Sequence, residues 1–364
     1  MSTARTFVYV SCADDGLIAV MQMNPASGEL TPAGRAKAGP GVMPMAVSPQ
    51  GRYLYASIRS VPYSVASYEI DSATGGLTHL STVPLPDNMA YLATDRTGRF
   101  LFSASYAGHK IGVNPIGPQG FAQGDPVQVI TTGRNAHCIL ADPSNRFVYV
   151  PTLASDQVMQ LVFDEKTGLL TPNRPGAACT KDGAGPRHLA FAPNNRFVYL
   201  LTELEGTVNA YAADLQTGLL TEVQSLSMVP PGAGLIQGKP EPAIGAPQTT
   251  PAPPAEAGPK IKAADLHITP DGRFLYASER TTSTLAAFAV DTLTGKLTPV
   301  GHYETEEHPR GFNIDPRGDF AIVAGMLSGH CSVHRIDRET GALQRLKRYP
   351  VGRTPTWVEC VAFP

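Results

Sequence analysis

The chain has 364 residues, of which 42% are hydrophobic, and a formal net charge of −2 at pH 7. This nearly neutral balance, with no run of basic residues, argues against a nucleic-acid partner. No apolar run is long enough to cross a bilayer, which argues against a membrane protein. The high counts of glycine (35) and proline (33) favour many short strands joined by turns.

The N-terminus and the cysteines bear on the compartment. Met1 is followed almost directly by a β-rich run at residues 6–10, so we expect no signal peptide. The five cysteines are an odd number and form no Cys-x-x-Cys motif, which is typical of reduced thiols. We therefore expect a soluble cytoplasmic protein, either a monomer or a weak homo-oligomer.

The first predicted strand, TFVYVSC from residue 6, is followed by a unit that recurs six times. Each copy is a tight turn followed by a strand: SPQGRYLYAS from residue 48, TDRTGRFLFS from 94, ADPSNRFVYV from 141, APNNRFVYLL from 192, TPDGRFLYAS from 269 and DPRGDFAIVA from 315. Their turn residues Gly51, Gly98, Asn145, Asn195, Gly272 and Gly318 are 47, 47, 50, 77 and 46 residues apart. A second hairpin with a Thr-Gly-x-Leu type of turn lies between the units, as in DSATGGLTH from residue 71.

One interval is longer than the others by roughly 30 residues. The excess is a stretch rich in proline, alanine and glycine at about residues 229–260. Such a composition cannot bury a core, so it predicts a loop inserted before the next strand. Two interpretations stay open here, a tolerated surface insertion or a flap over a functional site.

The two ends of the chain supply half-units that complete a seventh repeat. The strand at residue 6 has no partner strand before it, and RTPTWVECVAFP from residue 353 has none after it. Repeats of this length, each with room for about four strands, are typical of propellers. The sequence therefore predicts an all-β fold, a seven-bladed β-propeller of residues 1–364 in a single domain. N- and C-terminal strands would pair within one blade and close the ring.

The repeat register indicates which side chains share one mouth of the central channel. Eight residues before the turn residue, at the start of each innermost strand, lie Met43, Ala90, His137, Arg187, Ala264 and Arg310, with Thr356 near that register in the closing blade. Eight residues after it, at the end of each second strand, lie Arg59, Tyr106, Leu153, Glu203, Arg280 and Met326, with Ala13 near it. Both positions open on the same face of a blade. One face thus collects four arginines, a histidine and a glutamate.

Scaffold positions are expected to recur, and these charged residues do not. Arginines also follow the turn residue in most repeats (Arg52, Arg99, Arg146, Arg196 and Arg273), which indicates a structural role on the opposite face. His188 follows Arg187 and is either a core histidine or a further substrate-binding residue. His267 is expected to be structural, Asp265 is undecided, and His308 is a loop residue with no specific assignment.

The chemistry of this mouth suits a small anionic substrate. Arginine forks bind carboxylate or phosphate and stabilise an oxyanion on an acyl carbon. His137 and Glu203 are candidate acid–base catalysts beside Arg187, while Arg59, Arg280, Arg310, His188 and Tyr106 are candidate substrate-binding residues. The sequence contains no Gly-x-Ser-x-Gly elbow, which argues against a serine hydrolase of the α/β type. Carboxylates on this face are few, so we predict no metal site, although Glu203, Glu205, Asp265 and Glu279 leave that question open.

Several segments carry a resemblance to a known family. They are GPRH at residues 185–188, HITPDGR at 267–273, ERT at 279–281, PRGF at 309–312 and TPTWV at 354–358. Together they resemble the bacterial 6-phosphogluconolactonase family of seven-bladed propellers, which is related to carboxymuconate cyclase. The resemblance implies a lactonase without an organic cofactor, with His137, Arg187, Glu203 and Arg280 at the functional positions. The insertion at residues 229–260 departs from it beside the site, which leaves the choice of lactone open.

Two rival functions are kept beside hydrolysis of a small anionic sugar lactone. The first is a cycloisomerase of a carboxymuconate-type lactone, which would use the same residues for proton transfer without water. The second is a non-catalytic propeller that binds partners. For such a protein we would expect an exposed apolar patch on one face and no turnover of any lactone.

Overall fold

Seven four-stranded antiparallel sheets make up the fold in the computed structural model, which describes residues 5–242 and 258–364. We number the blades by their innermost strands in chain order. Blade 1 contains β4 (Val42–Val47), β5 (Tyr53–Ile58), β6 (Ser64–Ile70) and β7 (Leu77–Pro84). Blade 2 contains β8 (Met89–Thr94), β9 (Phe100–Ser105), β10 (Lys110–Pro115) and β11 (Gln128–Thr131). Blade 3 contains β12 (Leu140–Ala141), β13 (Phe147–Thr152), β14 (Gln157–Asp164) and β15 (Leu169–Cys179).

The second half of the ring repeats this order. Blade 4 contains β16 (Pro186–Phe191), β17 (Phe197–Thr202), β18 (Thr207–Ala213) and β19 (Leu220–Ser227). Blade 5 contains β20 (Ala263–Ile268), β21 (Phe274–Glu279), β22 (Thr284–Val290) and β23 (Leu297–Glu304). Blade 6 contains β24 (Pro309–Ile314), β25 (Phe320–Gly325), β26 (His330–Ile336) and β27 (Leu343–Pro350). A single turn of 3-10 helix, Leu153–Ser155, follows β13, and no helix in the described part of the chain could span a membrane.

Blade 7 closes the ring, as the matched half-units predicted. Its strands are β28 (Pro355–Phe363), β1 (Arg5–Cys12), β2 (Leu17–Met23) and β3 (Leu30–Lys37), in that order. The C-terminal β28 pairs with the N-terminal β1 over the whole length of β1, from Arg5 opposite Phe363 to Cys12 opposite Pro355. Both the all-β class and the closure of the propeller are therefore confirmed.

The aromatic strand of the turn-plus-strand unit and the Thr-Gly turn of the second hairpin hold neighbouring blades together. In the outer turn of blade 1, Gly75 has a φ of 72°, and a Cβ atom there would lie 2.3 Å from the ring of Phe7 in blade 7. The hydroxyl of Tyr9, two residues further along β1, donates to the Gly75 carbonyl at 3.0 Å. Blades 3 to 6 repeat this contact: a Phe-x-Tyr pair on a second strand meets the Thr-Gly turn of the next blade at Gly218, Gly295 and Gly341. A glycine is needed because the ring leaves no room for a side chain.

The cores lie between adjacent blades, where the strand faces pack against each other. One such cluster joins blades 4 and 5 and includes Tyr199, Leu201, Leu266 and Phe288, all with 2% or less of their surface exposed. The outermost strands, such as β7 and β27, are mostly accessible to solvent. Apolar residues at the starts of the innermost strands, such as Val42 and Ala263, join these cores, whereas Arg187 and Arg310 do not.

The described flanks of the insertion are residues 229–242 and 258–260. A parallel bridge joins Ile236 to Lys260, and the amide of Gly238 donates to the Leu204 carbonyl at 2.8 Å. These contacts dock the insertion against the end of blade 4. Residues 243–257, the middle of the predicted loop, lie outside the described residues.

Candidate active site

Beta-bulges at the starts of the innermost strands direct side chains into the channel mouth. The register of β16 against β17 shifts between Pro186 and His188, so Arg187 is the extra residue of a bulge. The same shift occurs between Pro309 and Gly311, which places Arg310 at a bulge of β24. A bulged residue is left out of the strand pairing, and bulges often aim side chains beside active sites. Arg187 and Arg310 can therefore point across the mouth without disturbing the sheet.

Nine of the fourteen register positions surround one cavity of about 200 Å³ at this mouth. They are Arg59, Ala90, Tyr106, His137, Arg187, Glu203, Arg280, Arg310 and Met326. Every predicted catalytic residue and every predicted substrate-binding residue except His188 is in this set. Antiparallel pairing explains the convergence, since Pro186 at the start of β16 lies opposite Thr202 at the end of β17. Arg187 is the second residue of β16, and Glu203 is the first residue after β17.

Glu203 is held between two arginines at the floor of the cavity. Its Oε2 accepts from Nε of Arg187 at 2.7 Å, and its Oε1 accepts from Nη2 of Arg280 at 2.6 Å. Burial alone would raise the pKa of the Glu203 carboxyl, but Arg280 and Arg187 outweigh it and lower the pKa to about 2. Glu203 is therefore ionised, and both of its oxygens are engaged.

His137 faces the cavity as a neutral imidazole. Its side chain is buried, and Nδ1 has no hydrogen-bond partner within the described residues. Burial lowers the pKa of His137 well below its ordinary value, and the charge of Arg187 adds to that effect. The ring packs edge-on against Tyr106, with 5.6 Å between centroids. A neutral imidazole can accept a proton from water.

Arg310 is a buried cation that forms no ion pair within the described part of the chain. Only 8% of its surface is exposed, and Nη1 finds no partner in residues 5–242 and 258–364. Burial and the charges of Arg187, Arg280 and Arg59 all lower the pKa of this guanidinium. A guanidinium remains protonated in proteins, so an anion bound beside Arg310 would stabilise its buried positive charge. The geometry is that of an anion site.

Four cavity residues lie outside the repeat register and were not predicted. Lys262 precedes β20, His308 precedes β24, and the insertion contributes Glu241 and Pro242. Nζ of Lys262 lies 2.5 Å from a carboxylate oxygen of Glu241, and the Tyr106 hydroxyl donates to the Glu241 carbonyl at 2.8 Å. The only sequence signal for this side of the cavity was that the insertion opens on the same face.

His188 is the predicted site residue that does not line the cavity. It lies just beneath, where its Nδ1 is 2.8 Å from Oδ1 of Asp265 and its Nε2 is 3.0 Å from Nη1 of Arg187. Because His188 directly follows the bulged Arg187, its side chain lies at a different level of the channel from that of Arg187. The described residues contain no group of three or more His, Cys, Asp or Glu side chains that could hold a metal ion.

The fold and this cavity define a propeller enzyme with a cationic pocket, and the comparisons with known proteins identify its family. A family described as "Lactonase, 7-bladed beta-propeller" matches residues 7–360. The chain is 41% identical to the 6-phosphogluconolactonase of Pectobacterium carotovorum over 98% of both chains. It is 38% identical to that of Serratia proteamaculans, over 98% of this chain and 99% of the relative. The chain therefore belongs to the seven-bladed lactonase family.

Solved structures agree with this assignment. The periplasmic gluconolactonase of Pseudomonas aeruginosa superimposes with a TM-score of 0.85 at 26% identity, covering 99% of this chain and 100% of that one. A putative 6-phosphogluconolactonase of Bacteroides fragilis has a TM-score of 0.83 at 27% identity, over 99% and 98% of the two chains. This protein is a lactonase, a hydrolase that acts on an ester bond, and neither rival function is favoured.

Proposed function

We propose that the substrate is a phosphorylated sugar lactone such as 6-phosphogluconolactone, which the enzyme hydrolyses to the open acid. The observation that carries this proposal is the charge of the cavity. Five cationic side chains line it (Arg59, Arg187, Lys262, Arg280 and Arg310) against two carboxylates, those of Glu203 and Glu241. The excess of three positive charges suits a phosphate dianion better than a neutral sugar lactone. The curated relatives carry the name 6-phosphogluconolactonase.

Arg310 and Arg59 are the proposed anion-binding pair. Glu203 already neutralises Arg187 and Arg280 in part, whereas Arg310 lacks a partner among the described side chains. Burial lowers the pKa of Arg59 to about 10, so this side chain too would gain from a bound anion. A phosphate or carboxylate accepting from both guanidinium groups would complete their hydrogen bonding.

His137 is the proposed general base. Glu203 was the other candidate, but a carboxylate with a pKa of about 2 and two ion pairs is a weak proton acceptor. We assign it instead to holding the two arginines in place. Binding of the substrate anion would offset the positive charges around His137 and raise its pKa toward neutrality, where general-base catalysis is most effective.

The reaction then follows from these roles. His137 takes a proton from a water molecule as the water oxygen bonds to the lactone carbonyl carbon. The guanidinium of Arg187 stabilises the negative charge that forms on the carbonyl oxygen. When this intermediate collapses, the bond from the acyl carbon to the ring oxygen breaks. The ring oxygen takes the proton back from His137, which leaves a carboxylic acid and a free hydroxyl.

The deciding experiment replaces His137 by glutamine and measures the release of acid from 6-phosphogluconolactone. We expect kcat to fall about 100-fold or more, because general-base catalysis typically contributes 10²–10⁴-fold. Thermal unfolding would establish that the variant folds, and His109 provides a matched control. The His109 ring accepts from the Asn135 backbone outside the cavity, so the His109→Gln variant should keep its activity. A folded His137→Gln variant with the wild-type rate would disprove the assignment.

Isotope-labelled water separates hydrolysis from isomerisation, because only hydrolysis transfers solvent oxygen to the product. Comparing the phosphorylated lactone with gluconolactone tests the substrate. If kcat/KM for the neutral lactone equals that for the phosphorylated one, the charge argument fails.

We also propose a reducing compartment such as the cytoplasm. All five cysteines are unpaired, and Cys12, Cys138 and Cys331 are buried. Free thiols are usual where glutathione and thioredoxin act. A cell-fractionation experiment that found the protein in an oxidising compartment would contradict this.

A further inference from the structure

A carboxylate lies in the centre of the propeller, one layer below the cavity. Asp265 is in β20 of blade 5 and has only 6% of its surface exposed. Its Oδ1 accepts from the Leu266 amide at 3.1 Å and its Oδ2 from the Phe312 amide at 3.3 Å. The mechanism proposed above does not use this group. A buried charge is costly unless its partners are well placed, so the partners indicate its role.

Two histidines flank Asp265 in different states. His267 contacts Oδ2 at 3.2 Å; burial alone would lower the pKa of His267, but Asp265 outweighs it and raises the pKa. His188 contacts Oδ1 at 2.8 Å, yet burial and the charge of Arg187 lower the pKa of His188 to about 4. Asp265 therefore favours the charged form of His267 on one side and contacts a neutral His188 on the other.

The contact with Arg187 determines which nitrogen of His188 carries the proton. A guanidinium only donates, so the His188 Nε2 that lies 3.0 Å from Nη1 of Arg187 must be the acceptor. The neutral ring then carries its proton on Nδ1 and donates it to Oδ1 of Asp265. The carboxylate stabilises this tautomer, because the other tautomer would leave Oδ1 with the Leu266 amide as its remaining donor and would place two N–H groups, those of Arg187 and His188, face to face.

The same strand holds Arg187 a second time. Nη1 of Arg187 also donates to the carbonyl oxygen of Ala264, the residue before Asp265. Together with the bond from its Nε to Glu203, these contacts fix the plane of the guanidinium. Arg187 is 1% exposed and reaches the cavity wall, so its direction depends on this support from below.

We propose that Asp265 is a positioning residue for lactone hydrolysis, acting through the tautomer of His188 on the guanidinium of Arg187. The inference depends on the proposed function, in which Arg187 stabilises the charge on the lactone carbonyl oxygen. It predicts a loss in the chemical step and little loss in substrate binding, because the anion is held by Arg310 and Arg59. A histidine tautomer set by a buried carboxylate is an established way of orienting a functional group.

The first test uses the wild-type protein. Imidazole ¹⁵N–¹H spectra should show His188 neutral, with its proton on Nδ1, and a His188→Asn variant identifies the signal. A proton on Nε2, or on both nitrogens, would overturn the proposal, and this result does not depend on whether any variant at position 265 folds.

The second test is the Asp265→Asn variant, assayed with 6-phosphogluconolactone. We expect kcat to fall about 10- to 100-fold, the range seen when a carboxylate that orients a histidine is removed. KM should stay within about twofold, and the His188 proton should move toward Nε2. The matched control is Glu359→Gln, a half-buried carboxyl of the channel, which accepts from the Trp357 indole at 2.8 Å and does not contact His188. It should leave kcat and the tautomer unchanged.

An Arg187→Met variant separates the possible failures. If Arg187→Met keeps the wild-type rate, the proposed role of Arg187 is wrong and this inference falls with it. If Arg187→Met is impaired while a folded Asp265→Asn keeps wild-type kcat, only the positioning role is wrong. Loss of kcat in both, with the tautomer change in Asp265→Asn, supports the proposal.

Discussion

Replacing Arg310 by methionine is expected to stabilise the protein and to impair its function. The guanidinium is buried beside three other arginines, and its Nη1 has no partner among the described residues. An unsatisfied buried polar group costs about 1–3 kcal/mol, and more when it is charged. Methionine fills similar space without a charge. We therefore expect the free energy of unfolding to rise by about 1–3 kcal/mol, and the Tm by roughly 2–4 °C for each kcal/mol.

The same substitution should weaken catalysis with an anionic substrate. A hydrogen bond to a charged group contributes about 1.5–3 kcal/mol, and each 1.36 kcal/mol is a factor of ten in rate. The expected loss in kcat/KM for 6-phosphogluconolactone is therefore roughly 10- to 160-fold. Gluconolactone, which carries no phosphate, should lose less. Thermal unfolding and initial-rate measurements on the same preparation test both parts.

Arg96 provides the control for this experiment. It lines a separate cavity at the other end of the channel, and its Nε and Nη2 donate to the carbonyls of Asp142 and Ala141 at 3.2 and 2.6 Å. Arg96→Met should lose stability and keep the lactonase rate. The reasoning is refuted if Arg310→Met is less stable than the wild type, or if its kcat/KM for the phosphorylated lactone stays within twofold.

Three further predictions concern charge and packing. Glu203→Gln should lower the free energy of unfolding by about 3–5 kcal/mol, because two buried arginines lose their counter-charge. Since the pKa of Glu203 is lowered to about 2, the extra stability of the wild type over this variant should be complete above about pH 4.5 and should shrink as the pH falls toward 2. Denaturant titrations at several pH values test this, and a stability difference that stayed constant with pH would contradict it. Gly75→Ala should lower the free energy of unfolding by about 2–5 kcal/mol, because of the left-handed backbone and the contact with Phe7. The control Gly34→Ala has nothing within 4 Å of its Cβ and should be nearly neutral, so equal melting temperatures for the two variants would refute the packing argument. Glu241→Gln frees Lys262 from its ion pair, so KM for the phosphorylated lactone should fall by up to about fivefold at low salt, and the effect should fade at high salt. A rise in KM would contradict this prediction.

The architecture could be predicted because each blade repeats the same local chemistry. A turn glycine, an aromatic strand and a Thr-Gly hairpin recur at fixed spacing, and the unmatched strands at residues 6 and 353 indicated how the ring closes. The register also predicted that Arg187 and Glu203 face one mouth. Register gives the direction of a side chain but not its partners. It could not show that Glu203 is bound by two arginines, and so it left the choice of base open.

The residues that sequence reasoning missed lie where the repeat gives no register. Lys262 and Glu241 lie on the irregular connection between blades 4 and 5, and His308 precedes β24 at a φ of 58°. For His188 the sequence left both a core position and a site position open. Its place beside Arg187 made it a candidate for the cavity, but the bulge at Arg187 sends the two side chains to different levels of the channel.

A small residue at the mouth position of blade 5 explains why the charges can gather on one side. Ala264 occupies in blade 5 the position that Arg187 and Arg310 occupy in blades 4 and 6. Because alanine leaves that space open, Arg187 can extend over β20 to reach the Ala264 carbonyl. Arg280, from the same blade as Ala264, meets Arg187 on the other oxygen of Glu203. A long side chain at position 264 would occupy the path of Arg187 and separate this group. The cavity therefore depends as much on the short side chain of Ala264 in blade 5 as on the arginines of blades 4 and 6.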